Sequence, residues 1–361
     1  MAATAVVESA LHITKWSQIA VPILVKSNEH TFLAFLSNIA STIVDISFST
    51  LTASFPGSFL LLIEELVVTF PIFKLSYYFC KSKDTANFQP ISTMKRNLTI
   101  NWSDTTDSTN SEAMRNLHNV EGNSVWSADF QTAGRGQRGN KWHSARALNL
   151  TFSILLKDIP LAPHMQHYIS MISALAVADY IKSKGIDARI KWPNDIYVGD
   201  RKICGMLIEN ILGSDTLSAS IIGIGINLNQ TEFDSALSNP TSLLKEVQER
   251  LPDRSCFNEF DRHKELEAFI DCFFDLYSLL NIDGGKEMFR RRFESLLYRR
   301  DEWHSYEEIS ESSNLNRPVE TIAGNRITAR ILGIDDQYNL VLEHRDGHVR
   351  QYAFKEIKYI L

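Results

Sequence analysis

The chain has little that would cross-link it or hold a metal. Of its 361 residues four are cysteine, Cys80, Cys204, Cys256 and Cys272, and no two form a CxxC pair. That spacing argues against a disulfide framework and a thiolate metal site, and it fits a reducing, cytoplasmic setting. Neither sign of charge dominates: 37 basic residues face 43 acidic ones, a formal charge of −6, so any basic patch must be local. His344 and His348 flank an Asp346-Gly347 turn, and His164 and His167 open a helix, so both pairs read as solvated surface residues rather than metal ligands. There is no Ser/His/Asp or Cys/His pattern for covalent catalysis.

Long uninterrupted apolar runs are also missing. Residues 1–96 are an apolar extension of unknown role, rich in Phe, Leu, Ile, Ser and Thr. Asn38 and Asp45 interrupt the stretch from Phe32 to Leu51, and Pro56, Gly57, Glu64 and Glu65 interrupt that from Phe55 to Phe73. A central pair of glutamates is costly in hydrocarbon. The opening residues lack the basic start and cleavage site of a secretory signal. Two readings stand: an accessory or membrane-associating extension, or a dispensable segment with translation starting at Met94. No short helix pair around a glycine turn marks a DNA-reading domain.

What is present is an ordinary globular composition, 44% apolar and 22% charged, in a chain long enough for two or three domains. From Leu98 the hydrophobic period alternates between two and 3.6. Leu98–Trp102, Val125–Phe130 and Leu148–Leu156 read as strands, the last alternating apolar and polar. Short strands follow around Ile190, Ile196, Gly205–Glu209 and Ile221–Ile226. Helices are expected at Ser108 or Thr109, with Glu112 completing a capping box, and over His164–Lys184, Phe260–Leu280 and Lys286–Arg300. Asn325–Leu332, Leu340–His344 and Val349–Phe354 are β-rich and separated by turns. The fold class is α+β: a mixed sheet with helices on one face over residues 97–315, then a small C-terminal β-barrel over 316–361.

Gln131–Trp142, QTAGRGQRGNKW, threads three glycines through Arg135, Arg138 and Lys141 without apolar periodicity. Backbone N–H groups bared by glycine approach an anion closely, so this loop suits a negatively charged ligand. Further on come Lys191-Trp192-Pro193-Asn194-Asp195, then Lys202 to Glu209, KICGMLIE, then Gly223-Ile224-Gly225-Ile226-Asn227. GIGIN lacks the third glycine and helix start of a dinucleotide fingerprint. Its alternating glycines leave room for a ligand against bare backbone, or mark a tightly packed sheet.

In this order, with Asp107-Ser108-Thr109-Asn110 upstream, the motifs resemble the catalytic domain of the biotin protein ligases, which attach biotin to carboxylases. The resemblance covers roughly Leu98 to Leu361. It implies that biotin and ATP form biotinyl-5′-adenylate, and that biotin then passes to a lysine on the biotin carrier domain of a biotin-dependent carboxylase. Mg²⁺ is implied by the ATP chemistry rather than by any ligand spacing. The resemblance gives Lys191 contact with both the biotin carboxylate and the adenylate phosphate, and makes it and Arg135 the catalytic pair. Gly134, Arg135, Gly136, Gln137 and Arg138 belong to a loop that closes over the adenylate.

Ser108, Thr109, Asn110 and Gln131 are then contacts of the biotin ureido ring, although the first three could equally cap a helix. Trp142 either covers the ligand or fills core. Gly223 and Gly225 face biotin and Asn227 the nucleotide. Lys202 is a positioning charge or a turn residue. Gln137 and Asn140 stand where a common form of the loop, GRGRRGR, has arginine, which predicts a leakier grip on the intermediate. The alternatives are a lipoate or octanoate ligase, and a non-catalytic ligand- or nucleic-acid-binding protein. The acidic charge and scattered aromatics speak against nucleic acid. Whether two copies pair as a homodimer is open.

Overall fold

The computed structural model describes residues 98–237, 239–250, 258–309 and 325–360. The apolar stretches at 32–51 and 55–73, the expected start at Met94, Cys80 and Cys256 lie outside them. Seven strands make the first sheet: β1 (Thr99–Thr106), β2 (Ser124–Gln131), β3 (Leu150–Ile159), β4 (Arg189–Lys191), β5 (Asp195–Val198), β6 (Arg201–Leu212) and β7 (Leu217–Ile226). Their order is β1-β2-β3-β7-β6-β5-β4. β1 and β2 are parallel and every other neighbouring pair is antiparallel, so the sheet is mixed, as expected.

The helix α1 (Thr109–Arg115) connects the parallel pair β1 and β2. Ser108 occupies its N-cap with extended dihedrals, but its side chain makes no capping bond. Glu112 also serves no capping box: its carboxylate takes Arg115 and the Thr106 hydroxyl. The helices α2 (His167–Ser183), α3 (Leu243–Arg250), α4 (Arg262–Tyr277) and α5 (Gly285–Ser295) complete the helical set among the described residues, apart from short 3₁₀ turns.

Alternation along the central strands divides two hydrophobic clusters. Ile154, Leu156, Ile222 and Ile224 join the main core with α2, α4 and α5. Leu155 and Ile221, on the opposite face, pack with Trp126, Ala219 and Ala113 of α1. Helices therefore lie on both faces of the sheet, not on one. β3 is buried on both sides from Leu150 to Leu156, so the half-exposed alternation expected there is absent. α2 keeps its expected stripe of Ile169, Ile172, Leu175 and Ala176, yet Met171, Ala174, Val177 and Ala178 are buried too. A helix held among other elements has no face left for water.

A second sheet contains β8 (Trp303–Glu308), β9 (Arg326–Ile334), β10 (Leu340–His344), β11 (Val349–Tyr352) and β12 (Ile357–Tyr359). It is antiparallel, ordered β11-β10-β9-β8-β12, and no pairing among the described residues closes it into a barrel. Its first strand precedes residue 316. The segment WHSYEE buries only Tyr306, so nothing in its pattern announces a strand. Among the described residues no helix is long and apolar enough to cross a membrane.

One buried carboxylate fixes the approach to β6. Glu246 is 0% exposed, accepts the Thr241 hydroxyl at 2.7 Å and pairs with Arg201 at 2.8 Å and Arg250 at 2.9 Å. The same loop bonds Lys202 through its backbone, from Lys202 N–H to Asn239 and from Thr241 N–H to the Lys202 carbonyl. Without the carboxylate the Thr241 hydroxyl loses its acceptor, while Arg201 and Arg250, both more than a third exposed, turn to water or to Glu249. Glu246→Ala is therefore expected to lower the unfolding free energy by about 1–2 kcal/mol in urea titrations. A loss below about 0.5 kcal/mol, the scale of an ordinary surface substitution, contradicts this role.

Candidate active site

Strand register builds the floor of the site. Lys191, Asp195, Gly205, Gly225 and Thr151 are successive direct partners across β4, β5, β6, β7 and β3. Opposed residues share a face of a sheet, so this row sets an ammonium and a carboxylate beside two bare glycines. The next row on that face is Leu207, Gly223 and Ser153. These rows border a cavity of about 1060 Å³ whose lining includes Ser108, Thr109, Asn110, Gln131, Lys191, Gly223 and Gly225. Arg135, Gly136, Gln137 and Trp142 line it from the loop.

The loop folds on itself. Gly136 N–H donates to the Asn140 carbonyl at 2.7 Å, Trp142 N–H to the Gly134 carbonyl at 3.0 Å, and Arg135 bridges Lys141. Gly139 holds φ 79°, a left-handed conformation that favours glycine. A Cβ on Gly134 would lie 2.4 Å from the Trp142 carbonyl oxygen. Part of this glycine content therefore shapes the turn, and several of its N–H groups serve the loop itself rather than an anion.

Arg135 is also engaged. Its guanidinium grips Glu209 at 3.1 and 2.8 Å, and Glu209 in turn accepts from Asn110 Nδ2 at 2.7 Å. The Asn110 amide also donates to the Leu207 carbonyl, and its Oδ1 lies 2.6 Å from the Ser153 hydroxyl. Gln131 Oε1 accepts from the Thr109 N–H at 2.8 Å and from its hydroxyl at 3.2 Å. Ser108, Thr109 and Asn110 are buried at the cavity edge; the Thr109 and Asn110 side chains belong to this network, and that of Ser108 makes no capping bond. Glu209, hard to place in the sequence, is its hub.

The positive wall carries two lysines. Lys191 Nζ donates to the Tyr197 hydroxyl at 3.0 Å and lies 4.7 Å from the Tyr197 ring centroid and 5.2 Å from that of Tyr359. Burial pushes its pKa below the usual lysine value; Asp195 opposes the shift and the nearby Lys202 and Arg299 add to it. Lys202 Nζ pairs with Asp195 at 2.7 Å and lies 5.9 Å from the Trp142 ring, inside the same cavity. Lys191 is thus no solvated strand end, and Lys202 is no mere turn residue. The signal for Lys202 was the tight turn at Gly199-Asp200: a hairpin there folds β6 back along Asp195.

Residues 102–227 match the model of the Biotin/lipoate A/B protein ligase family. Among curated proteins it is similar to the bifunctional ligase/repressor BirA of Bacillus spizizenii, 32% identical over 228 residues. That alignment covers 63% of this chain and 63% of the relative, so the chain spans a little under two thirds of its length. Biotin–protein ligase 2 of Arabidopsis thaliana is 29% identical over 265 residues, 72% of this chain and 76% of the relative. Among solved structures, the biotin protein ligase from Aquifex aeolicus in complex with biotin and ATP covers 73% of this chain and 99% of its own, with TM-score 0.56 and 22% identity, a likeness of fold.

The two strand glycines do not face open space. A Cβ on Gly225 would lie 2.2 Å from the Trp142 indole, and one on Gly223 would lie 2.1 Å from Asn110 Oδ1. Each glycine makes room for a side chain laid over the sheet, and the Trp142 Nε1 is buried without a hydrogen-bond partner among the described residues. Asn227 does not line the cavity. It is buried, with Nδ2 donating to the Thr241 carbonyl at 2.9 Å, because the chain leaves the sheet after Ile226. Gly134 borders a second cavity beneath the loop, and the Arg138 side chain lies outside the described part. The sequence did not disclose that the second sheet closes one side, through Glu307, Arg326, Phe354, Lys358 and Tyr359.

Gly225→Ala is expected to displace the Trp142 indole at a cost of about 1–3 kcal/mol in overpacking. Tryptophan emission should then shift while the far-ultraviolet circular dichroism stays that of the parent. Unchanged emission contradicts this placement of Trp142.

Proposed function

We propose that the chain is a biotin protein ligase, which forms biotinyl-5′-adenylate from biotin and ATP and transfers biotin to a lysine of a carrier domain in a biotin-dependent carboxylase. The observation that carries this reading is the juxtaposition, around one cavity, of Lys191, the Lys202–Asp195 pair and the glycine loop, in a domain whose curated relatives are named biotin–protein ligases. The extension 1–96 stands apart from this assignment. The C-terminal antiparallel sheet stands where a small β-barrel is expected of such ligases, and it is not closed into one among the described residues.

In the first step a biotin carboxylate oxygen attacks the α-phosphorus of ATP and the bond to pyrophosphate breaks. Two anions must meet, so fixed cations in a water-poor pocket lower the barrier. Lys191 is the ammonium assigned to meet the carboxylate and phosphate, and Lys202, paired with Asp195, lines the same cavity. Lys202 adds a second, positioning charge to the same wall. Ser108, Thr109, Asn110 and Gln131 offer donors and acceptors to the ureido ring. Trp142, Gly223 and Gly225 shape the adjacent surface. In the second step the carrier amine attacks the adenylate carbonyl, AMP leaves and the amine loses a proton. Among the described residues no group of three or more His, Cys, Asp or Glu could hold a metal, so no step is assigned to Mg²⁺.

Arg135 is tied to Glu209, so its engaging an adenylate requires that pair to loosen. Gln137 and Asn140 line the cavity where arginines are common in the family's loop, and the intermediate is held with two charges fewer. Gln137→Arg should therefore release biotinyl-adenylate into solution several-fold more slowly than the parent. Equal release removes the idea.

Transfer of labelled biotin to a purified carrier domain tests the reading. Lys202→Ala and Lys191→Ala should each lose about 100-fold or more in rate, the scale for removing a preorganised charge from such a site. A folded parent that transfers no biotin to any carrier domain contradicts it. The depressed pKa of Lys191 sets a sign as well: its charge is lost at a lower pH than for a free lysine. The rate of adenylate formation should therefore fall on the alkaline side below the usual lysine value of about 10.4. A rate still rising through that range excludes a charged Lys191 from the step.

A further inference from the structure

The second sheet touches the three residues of the Lys191-Trp192-Pro193 turn at successive points. Tyr359, in β12, presents its ring to the Lys191 ammonium with 5.2 Å to the centroid, and Tyr197 borders the same ammonium with its centroid at 4.7 Å and its hydroxyl accepting at 3.0 Å. Trp192 Nε1 donates to the Tyr338 carbonyl at 3.0 Å, and the Tyr338 hydroxyl donates to the Pro193 carbonyl at 3.0 Å. Tyr338 adopts a left-handed φ of 70°, uncommon for a bulky side chain. Such backbone persists where surrounding contacts hold it. Both of its bonds to the turn depend on that placement, one from the carbonyl and one from the ring.

We propose that the C-terminal sheet is a positioning element for the reacting site: Tyr359 closes an aromatic box on the Lys191 ammonium, and Tyr338 fixes the turn that follows it. The inference rests on the ligase reading for what the ammonium does, but the box is a property of the chain itself. The ring, not the hydroxyl, is what Tyr359 supplies. Its hydroxyl is buried without a partner among the described residues, while Tyr298 and Tyr306 pack around the ring at 6.2 and 5.3 Å. An ammonium facing aromatic rings out of water is held in its charged form. The box thus offsets part of what burial costs Lys191. The other charges acting on it are Asp195 and Lys202 from the hairpin and Arg299 from the segment after α5.

The test is competitive labelling of Lys191 with acetic anhydride across pH in the full chain, a readout that needs no ligase activity. Tyr359→Leu keeps bulk but removes the π face, so the Lys191 titration midpoint should fall by about one unit, the size of a desolvated cation–π contact. Tyr359→Phe should restore the parent midpoint. If the leucine variant fails to fold, a tetrafluorinated phenylalanine at the position keeps the shape and weakens the face, and it should lower the midpoint. A midpoint equal to the parent's in the leucine or fluorinated variant overturns the proposal. Adenylate formation is followed in parallel: a lowered midpoint in a chain that makes no adenylate upholds the box and rejects the ligase reading. A lowered midpoint with an unchanged alkaline limb of activity overturns the positioning role.

Discussion

The site depends on one row of hydrogen-bonded strand partners. Lys191, Asp195, Gly205, Gly225 and Thr151 face each other across five strands, and a shift of one residue in any ladder would turn its member to the other face. The hydrophobic alternation on the opposite face, through Ile154, Ile222 and Ile224, holds that register. Burial on one side of the sheet thus places charge on the other. The glycines in the row are as necessary as the charges, because a side chain at either position would occupy the space that Trp142 uses.

Around that floor Arg135, Lys202 and Lys191 each have a partner within the chain. Arg135 is held by Glu209, Lys202 by Asp195, and Lys191 by two tyrosine rings and a hydroxyl. A site for anions that left its cations unpartnered would carry a heavy desolvation cost. Here each cation keeps a weak or exchangeable partner. The Arg135–Glu209 pair is partly exposed, and such pairs contribute roughly 0–1 kcal/mol, little enough for a phosphate to displace the carboxylate.

Much of this was legible in the sequence, for identifiable reasons. The glycine loop, the KWPND turn and GIGIN are local patterns whose composition reflects local geometry, and they meet on one cavity because their strands are neighbours. What escaped were relations across long separations. Tyr359 lies in a three-residue strand too short to show alternation, and it meets Lys191 from the other end of the chain. Glu209 reads as one charge on a strand, and only its pairing with β7 and the return of α1 bring Arg135 and Asn110 to it. Asn227 misled for the opposite reason: the parity that places Gly223 and Gly225 on the site face ends with β7 at Ile226, one residue before it.

The central claim is that this wall of two lysines activates a biotin carboxylate as an adenylate. It is tested most directly by isotope exchange between pyrophosphate and ATP, which reports the first step without a carrier protein. The account predicts exchange that appears with biotin and is absent with lipoate or octanoate. A folded chain that catalyses no biotin-dependent exchange, or exchanges equally well with lipoate, contradicts it.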